Sequence, residues 1–240
     1  MKEKANAQEN NFIFNGFDFD LTLTKRHTIK GVSKGTRPTP SENTKEGVEK
    51  YIIHDDNHFL AITTFHYNPK YVLSYLLPLL KKEDVDYELK TIKTYPNFIL
   101  TSVHFSGQMY PVIIATITPA KLVKDYQEHI KSLDLEGGKG KMLKKILKHY
   151  PECAAYHYYD DCRENLMQVR ARLRQFNYHL VDAENPVFTT TEFGKALPIE
   201  YLKAPCSLAP KSCHYAASSP PRSPKSQKLY EEALSAAVTP

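Results

Sequence analysis

Short apolar runs alternate with segments of helical spacing along most of this chain, and that order limits the fold more than any other feature. NFIFNGFD (11–18) reads as a buried strand ending at Asp18, and HFLAITTF (58–65) as a central one. CAAYHYYDD (153–161) is strand-like and ends in two aspartates, and NYHLVDA (177–183) supplies a last strand. Between the first two, ENTKEGVEKYII (42–53) puts Val48, Tyr51 and Ile52 on one helical face. HYNPKYVLSYLLPLL (66–80) carries Asn68 and Pro69 at cap and first-turn positions of a second helix. AKLVKDYQEHIKSL (120–133), GGKGKMLKKILKHY (137–150) and ENLMQVRARLRQF (164–176) read as further helices. FILTSVHF (98–105) and YPVIIATI (110–117) form either a hairpin or part of the main sheet. Alternation of this kind predicts an α/β fold, with a mostly parallel central sheet and helices on both faces.

A chain of 240 residues suits one hydrophobic core with a small inserted element better than two full domains. The expected division is a polar arm over 1–11, one domain over 12–203 with a small insert accommodated within 68–136, and a flexible Pro/Ser-rich tail over 204–240. The tail's Ser-Pro pairs and basic residues make it a candidate docking segment for a protein partner, although a solvated tail explains the same composition. A formal charge of +5 is modest for this length and does not point to nucleic acid. Arg170, Arg172 and Arg174 alternate and do not line one helical face, so no phosphate-backbone groove is expected. Cys153, Cys162, Cys206 and Cys213 lack paired zinc-ligand spacing and read as free thiols in a reducing compartment. The amino end has no signal-peptide apolar run, and no segment reaches the roughly 18 apolar residues of a membrane span. The expectation is a soluble, cytoplasmic protein, with export by a route independent of a signal peptide left open.

FDFDLT (17–22) raises the chemical question, because Asp18 and Asp20 stand against Phe17, Phe19 and Leu21. A carboxylate leaves water only where a cation or several hydrogen bonds compensate it. In open α/β sheets ligands gather beyond the carboxyl ends of the strands. Three candidate strands end there in polar groups: Asp18 and Asp20, then Thr63 and Thr64, then Asp160 and Asp161. Lysines of GGKGK open the helix leading into the third. Several carboxylates in one place repel one another unless a cation joins them, and all-oxygen ligation favours Mg²⁺. An aspartate can attack phosphorus, a second acid can protonate the departing oxygen, and threonine and lysine can hold the phosphoryl oxygens.

On these residues the chain resembles the haloacid dehalogenase-like superfamily over about residues 12–183. Asp18-Phe19-Asp20-Leu21-Thr22 matches its DxDx[TV] motif, FLAITT its second motif, GKGKMLKKIL its lysine motif and Tyr158-Tyr159-Asp160-Asp161 its acidic motif. The resemblance implies a Rossmann-like three-layer sandwich and a Mg²⁺-dependent phosphatase. It casts Asp18 as nucleophile and metal ligand, and Asp20 as general acid and base that lends its backbone carbonyl to the metal. Thr64 is favoured over Thr63, and Lys139 over Lys141, for binding phosphate. Asp160 is taken as a direct metal ligand, and Asp161 as a ligand through water or a partner of Lys139. The substrate would be a phosphomonoester, either a small molecule or a phosphoprotein. A phosphotransferase on the same core, or a non-catalytic interaction protein that keeps the fold, are the alternatives. His27 and His66 lie just beyond two of these segments and could touch substrate, although a surface or satisfied histidine is the commoner case, and Asn165, four residues after Asp161, could brace the acidic loop. Asn15 and Gly16 interrupt the apolar run of the first strand, and AAYHYY is unusually aromatic.

Overall fold

The computed structural model describes residues 11–25, 27–28, 48–118 and 137–181, together with the backbone of 188–189. The polar arm through residue 10, the helix expected over 120–133 and the tail lie outside the described residues, as do Cys206 and Cys213. Of the expected free thiols, Cys153 is one and is buried, whereas Cys162 is disulfide-bonded.

The protein is α/β. Among the described residues eight strands form one mixed sheet: β1 (Ile13–Asp18), β2 (His58–Thr63), β3 (Tyr87–Thr94), β4 (Phe98–Phe105), β5 (Val112–Ile117), β6 (Ala155–Asp160), β7 (Asn177–Leu180) and β8 (Phe188–Thr189). Their order across the sheet is β3-β4-β5-β2-β1-β6-β7-β8. β5, β2, β1, β6 and β7 run parallel to one another, while β3, β4 and β8 add antiparallel pairings at the margins. FILTSVHF and YPVIIATI are therefore both things expected of them, an antiparallel pair and part of the main sheet. Residues 69–118 contribute one helix and three strands of this same sheet, and 119–136 lie outside the described residues.

Three α-helices are described: α1 (Pro69–Leu79), α2 (Gly138–Ile146) and α3 (Arg163–Arg172). Asn68 caps α1 as its sequence predicts, its Oδ1 accepting from the backbone N–H of Lys70 and Tyr71. Of the helix expected over 42–53, the described part is a single 3₁₀ turn, Glu49–Tyr51.

The strand pleat sorts the core into two layers. Phe14 of β1, Phe59 and Ala61 of β2, Ile113 and Ala115 of β5 and Tyr158 of β6 pack with Met142, Leu143 and Ile146 of α2 and Leu166 and Val169 of α3. The alternate residues Phe17, Leu60, Ile62 and Ile114 pack with Tyr71, Val72, Tyr75 and Leu76 of α1. Among the described residues no helix is long and apolar enough to cross a membrane.

Candidate functional site

Register brings the acids together. Asp18, the last residue of β1, lies opposite Thr63, the last of β2, and Phe17 lies opposite Tyr159, so Asp160 closes β6 at the same edge. Counting by two from Phe14, Ala61 and Tyr158 puts Asp18, Thr63 and Asp160 on the face that α2 covers. Lys139, in the first turn of α2, comes down onto that edge.

Its Nζ lies 2.7 Å from Asp18 Oδ1 and 3.0 Å from Asp160 Oδ2. Lys139 is 1% exposed and Asp160 0%. A lysine so completely withdrawn from water needs compensation of this kind. The ring of Phe65, 5.1 Å away, adds a cation–π contact. Burial works to lower the lysine's pKa, but the carboxylates of Asp160 and Asp18 outweigh it and hold the ammonium charged. Burial pushes Asp18 up to about 7, against the pull of Lys139 and with the repulsion of Asp161 and Asp20. Asp160 is pushed up to about 6, again by burial and against Lys139.

The FDFDLT loop closes the site from the other side. Leu21 sits at φ 64°, a left-handed conformation that costs a non-glycine residue about 1 kcal/mol. Its N–H donates to Thr24 Oγ1 at 3.0 Å. The turn brings Thr22 back over Asp18, with Oγ1 3.4 Å from Asp18 Oδ2 and 3.4 Å from Asp161 Oδ1. The same hydroxyl accepts from the Asp161 N–H at 2.9 Å, joining the first acidic motif to the second. Asp20 is anchored to the loop beyond: its Oδ1 accepts from the Thr28 N–H at 2.7 Å and the Thr28 hydroxyl at 2.6 Å.

Among the sequence-predicted residues, Asp18, Lys139, Asp160 and Asp161 are thus brought into one cluster. Asp20 stands at its margin, and Lys141, two residues further along α2, is half-buried. Thr63 faces the cluster and its Oγ1 lies 2.8 Å from the hydroxyl of Tyr158. Thr64 sits at the turn, its N–H donating to Ala115 O and its Oγ1 accepting from the His66 N–H at 2.9 Å. His66 is buried between the rings of Tyr67 and Tyr71, its Nδ1 accepts from the Asn68 N–H, and burial lowers its pKa to about 4. That places His66 in the core as a neutral ring. His27 is half-buried. Asn165 does brace the acidic turn, its Nδ2 donating to Asp160 Oδ1 at 3.1 Å.

Tyr158 was not singled out from the sequence. Fully buried, it donates to Asp160 Oδ2 at 2.9 Å. It stands two residues before Asp160 on the same strand face, a period-2 signal that identifies it once β6 is recognised. Gly16 makes the room: a Cβ there would lie 3.1 Å from Tyr158 Cδ2 and 3.2 Å from Leu143 Cδ2. The glycine that interrupts β1 and the aromatic run in β6 are two sides of one fit.

Asp18, Asp160 and Asp161 each offer an oxygen within 4.8 Å of the others. The donors are all carboxylate oxygens, and three acids face one buried ammonium, so the residues fit a hard divalent cation such as Mg²⁺. No family model matches the chain, and no curated protein or solved structure matches it either.

Proposed function

We propose that this chain is a Mg²⁺-dependent phosphomonoester hydrolase that works through an aspartyl-phosphate on Asp18, on a Rossmann-like three-layer sandwich of the haloacid dehalogenase type. The observation that carries the reading is Asp18 at the carboxyl end of a central parallel strand, 2.7 Å from a buried lysine and beside two further carboxylates. A nucleophilic carboxylate needs that position, because substrate approaches an open α/β sheet from this edge.

Asp18 attacks phosphorus with one carboxylate oxygen, and the bond from phosphorus to the departing alkoxide breaks. Asp20, in the turn two residues on, gives that alkoxide its proton. Thr28 holds one Asp20 oxygen through two hydrogen bonds, which leaves the other for the proton. Asp20 then takes a proton from water as the water attacks the aspartyl-phosphate, releasing phosphate and restoring the Asp18 carboxylate. Lys139 orients Asp18 and balances its charge throughout, and a threonine hydroxyl at the end of β2 donates to a phosphoryl oxygen. The metal shell would be drawn from Asp18, Asp160, Asp161 and the backbone carbonyl of Asp20. A bound Mg²⁺ would supply neutralisation of the charge between nucleophile and phosphate.

Asp18→Asn should lower turnover of a chromogenic phosphomonoester in Mg²⁺ by at least about a thousandfold with the fold intact. Unchanged turnover would sink the mechanism. A wild-type protein inert towards sugar phosphates, nucleotides and phosphopeptides alike would return the chain to the non-catalytic interaction class.

A further inference from the structure

We propose that His157 and His179 form a proton-operated latch, which fastens β7 and β8 to the sheet at neutral pH and releases them in acid. The proposal goes beyond the phosphatase reading and needs neither metal nor turnover.

The pair stands on the face of the sheet opposite α2 and α3. His157 lies opposite Asn177, and Tyr159 opposite His179, so the two histidines are diagonal neighbours on one face of β6 and β7. His157 Nδ1 and His179 Nε2 are 3.0 Å apart. The ring centres are 5.3 Å apart, with the planes 23° from parallel. That separation is the nitrogen gap plus one ring radius on either side, so the nitrogens meet head-on with a single proton between them. A metal ion does not fit on this line, because each imidazole would need about 2.0–2.1 Å to it.

The tautomer follows from what surrounds His179. Its ring stacks on Tyr159 at 4.3 Å, and Tyr159 stacks in turn on Phe17 at 4.6 Å and on Tyr51 at 5.4 Å. Behind this wall of rings His179 is 7% exposed, and its Nδ1 is buried with no hydrogen-bond partner. A buried bare acceptor is tolerated better than a buried orphan N–H. Neutral His179 therefore carries its proton on Nε2 and donates it to His157 Nδ1, while half-buried His157 keeps its own proton on Nε2. A further proton has two places to go. On His179 Nδ1 it creates a buried charge whose N–H has no acceptor; on His157 Nδ1 it sets two N–H groups against each other. Either is relieved when β7 moves away and admits water.

Among the described residues no neighbouring charge offsets this. On the same face β1 shows Asn15 and Phe17, β6 shows Ala155 and Tyr159, and β7 shows Asn177 and Val181. Phe188 and Thr189 of β8 have no ionisable group. The 3₁₀ turn brings Glu49 and Lys50, both exposed, and Tyr51, over whose ring Lys50 Nζ rests at 4.9 Å. On α1, Tyr71 and Tyr75 turn to Phe19 and His66, and Lys70 is exposed. Burial accordingly lowers the pKa of both histidines, that of His179 to about 4 with His157 adding repulsion.

Once open, His179 takes a proton at its ordinary value of 6.5. The open margin thus binds more protons than the closed one as pH falls below about 6.5, and the fastening weakens down to about pH 4. The acid cluster has the opposite sign, since the raised values of Asp18 and Asp160 let the folded state gain protons and tighten in that range. A loosening confined to β7 is therefore not the work of the acids.

The test is amide hydrogen exchange on the full chain at about pH 7 and about pH 5, read by mass spectrometry and corrected for the intrinsic rate. Protection over residues 177–181 should fall about tenfold or more relative to that over β2 and β5, one proton giving at most about tenfold per pH unit. His179→Phe keeps a ring against Tyr159 and removes the titrating group, so its fall should stay within about threefold. Nitrogen-15 NMR of the wild-type rings at about pH 7 needs no variant to fold, and should show His179 neutral and protonated at Nε2. Equal protection at the two pH values, a fall in His179→Phe as large as in wild type, or a His179 proton on Nδ1 each overturns the proposal. All three are read without metal or substrate, so their outcome is distinct from that of the turnover assays.

Discussion

Lys139 and Asp18 illustrate how a buried acidic cluster is held at a cost to stability. The pair is buried, and Asp18 carries the burden: its carboxyl ionises near 3.8 in an unfolded chain and at about 7 in the folded one, chiefly because of burial. Between those values the folded state binds the extra proton, so this group makes the protein lose stability as pH rises from about 4 to about 7. Asp18→Asn abolishes the effect. In a chelating buffer the variant should be the more stable at about pH 8, on the order of 2 kcal/mol, with the advantage shrinking towards pH 4. Urea denaturation of both proteins across that range checks it, and a difference that does not change with pH would count against the burial of Asp18. The acids, the threonines and the lysine were legible as residues, because carboxylates beside phenylalanines have few structural explanations. The linkage of Thr22 to Asp161 was not, since 139 positions separate them and only the left-handed turn at Leu21 brings them together.

At the scale of elements, the GGKGK segment decides whether Lys139 arrives. α2 and α3 pack so closely that a Cβ on Gly140 would stand 2.8 Å from the Gln168 carbonyl oxygen, and one on Gly137 would overlap the Arg172 guanidinium. Gly137 also adopts φ 102°, outside what a side chain tolerates. The glycines thus let a short helix dock with its amino end, and Lys139, at the sheet edge. Gly140→Ala should cost about 1–3 kcal/mol as backbone is forced apart, and should lower turnover further by shifting Lys139. A thermal melt within 1 °C or so of wild type would refute the close packing. β1, β2, α1, β6 and α3 were readable from apolar period and caps. β3 was not: YELKTIKT is exposed at most positions and has the composition of a solvated segment, and it becomes a strand because β4 offers it a free edge. The two-residue β8 has no signal of its own and exists through its pairing with β7.

For the whole molecule, the cluster of three carboxylates around one lysine is excess negative charge that folding assembles and that a bound cation would relieve. Mg²⁺ at about a hundred times its dissociation constant should stabilise the fold by about 2.7 kcal/mol, a rise of roughly 5–10 °C in Tm for a domain of this size. Asp161→Asn should remove most of that rise. An equal rise in wild type and variant would mean that Mg²⁺ acts elsewhere. Sequence by itself determined the α/β class and the strand ends where polar residues collect, because apolar period and the placement of polar residues after apolar runs are local properties. It also supplied the candidates, Asp18, Asp20, Thr63 or Thr64, Lys139, Asp160 and Asp161. Only the tertiary structure decided their partners. Parallel register set Asp18 beside Thr63 and Asp160, the packing of α2 on α3 delivered Lys139, and the space left by Gly16 admitted Tyr158. Hydrogen bonds are made between surfaces that meet in space, and no spacing along the chain records which lone pairs they will fill.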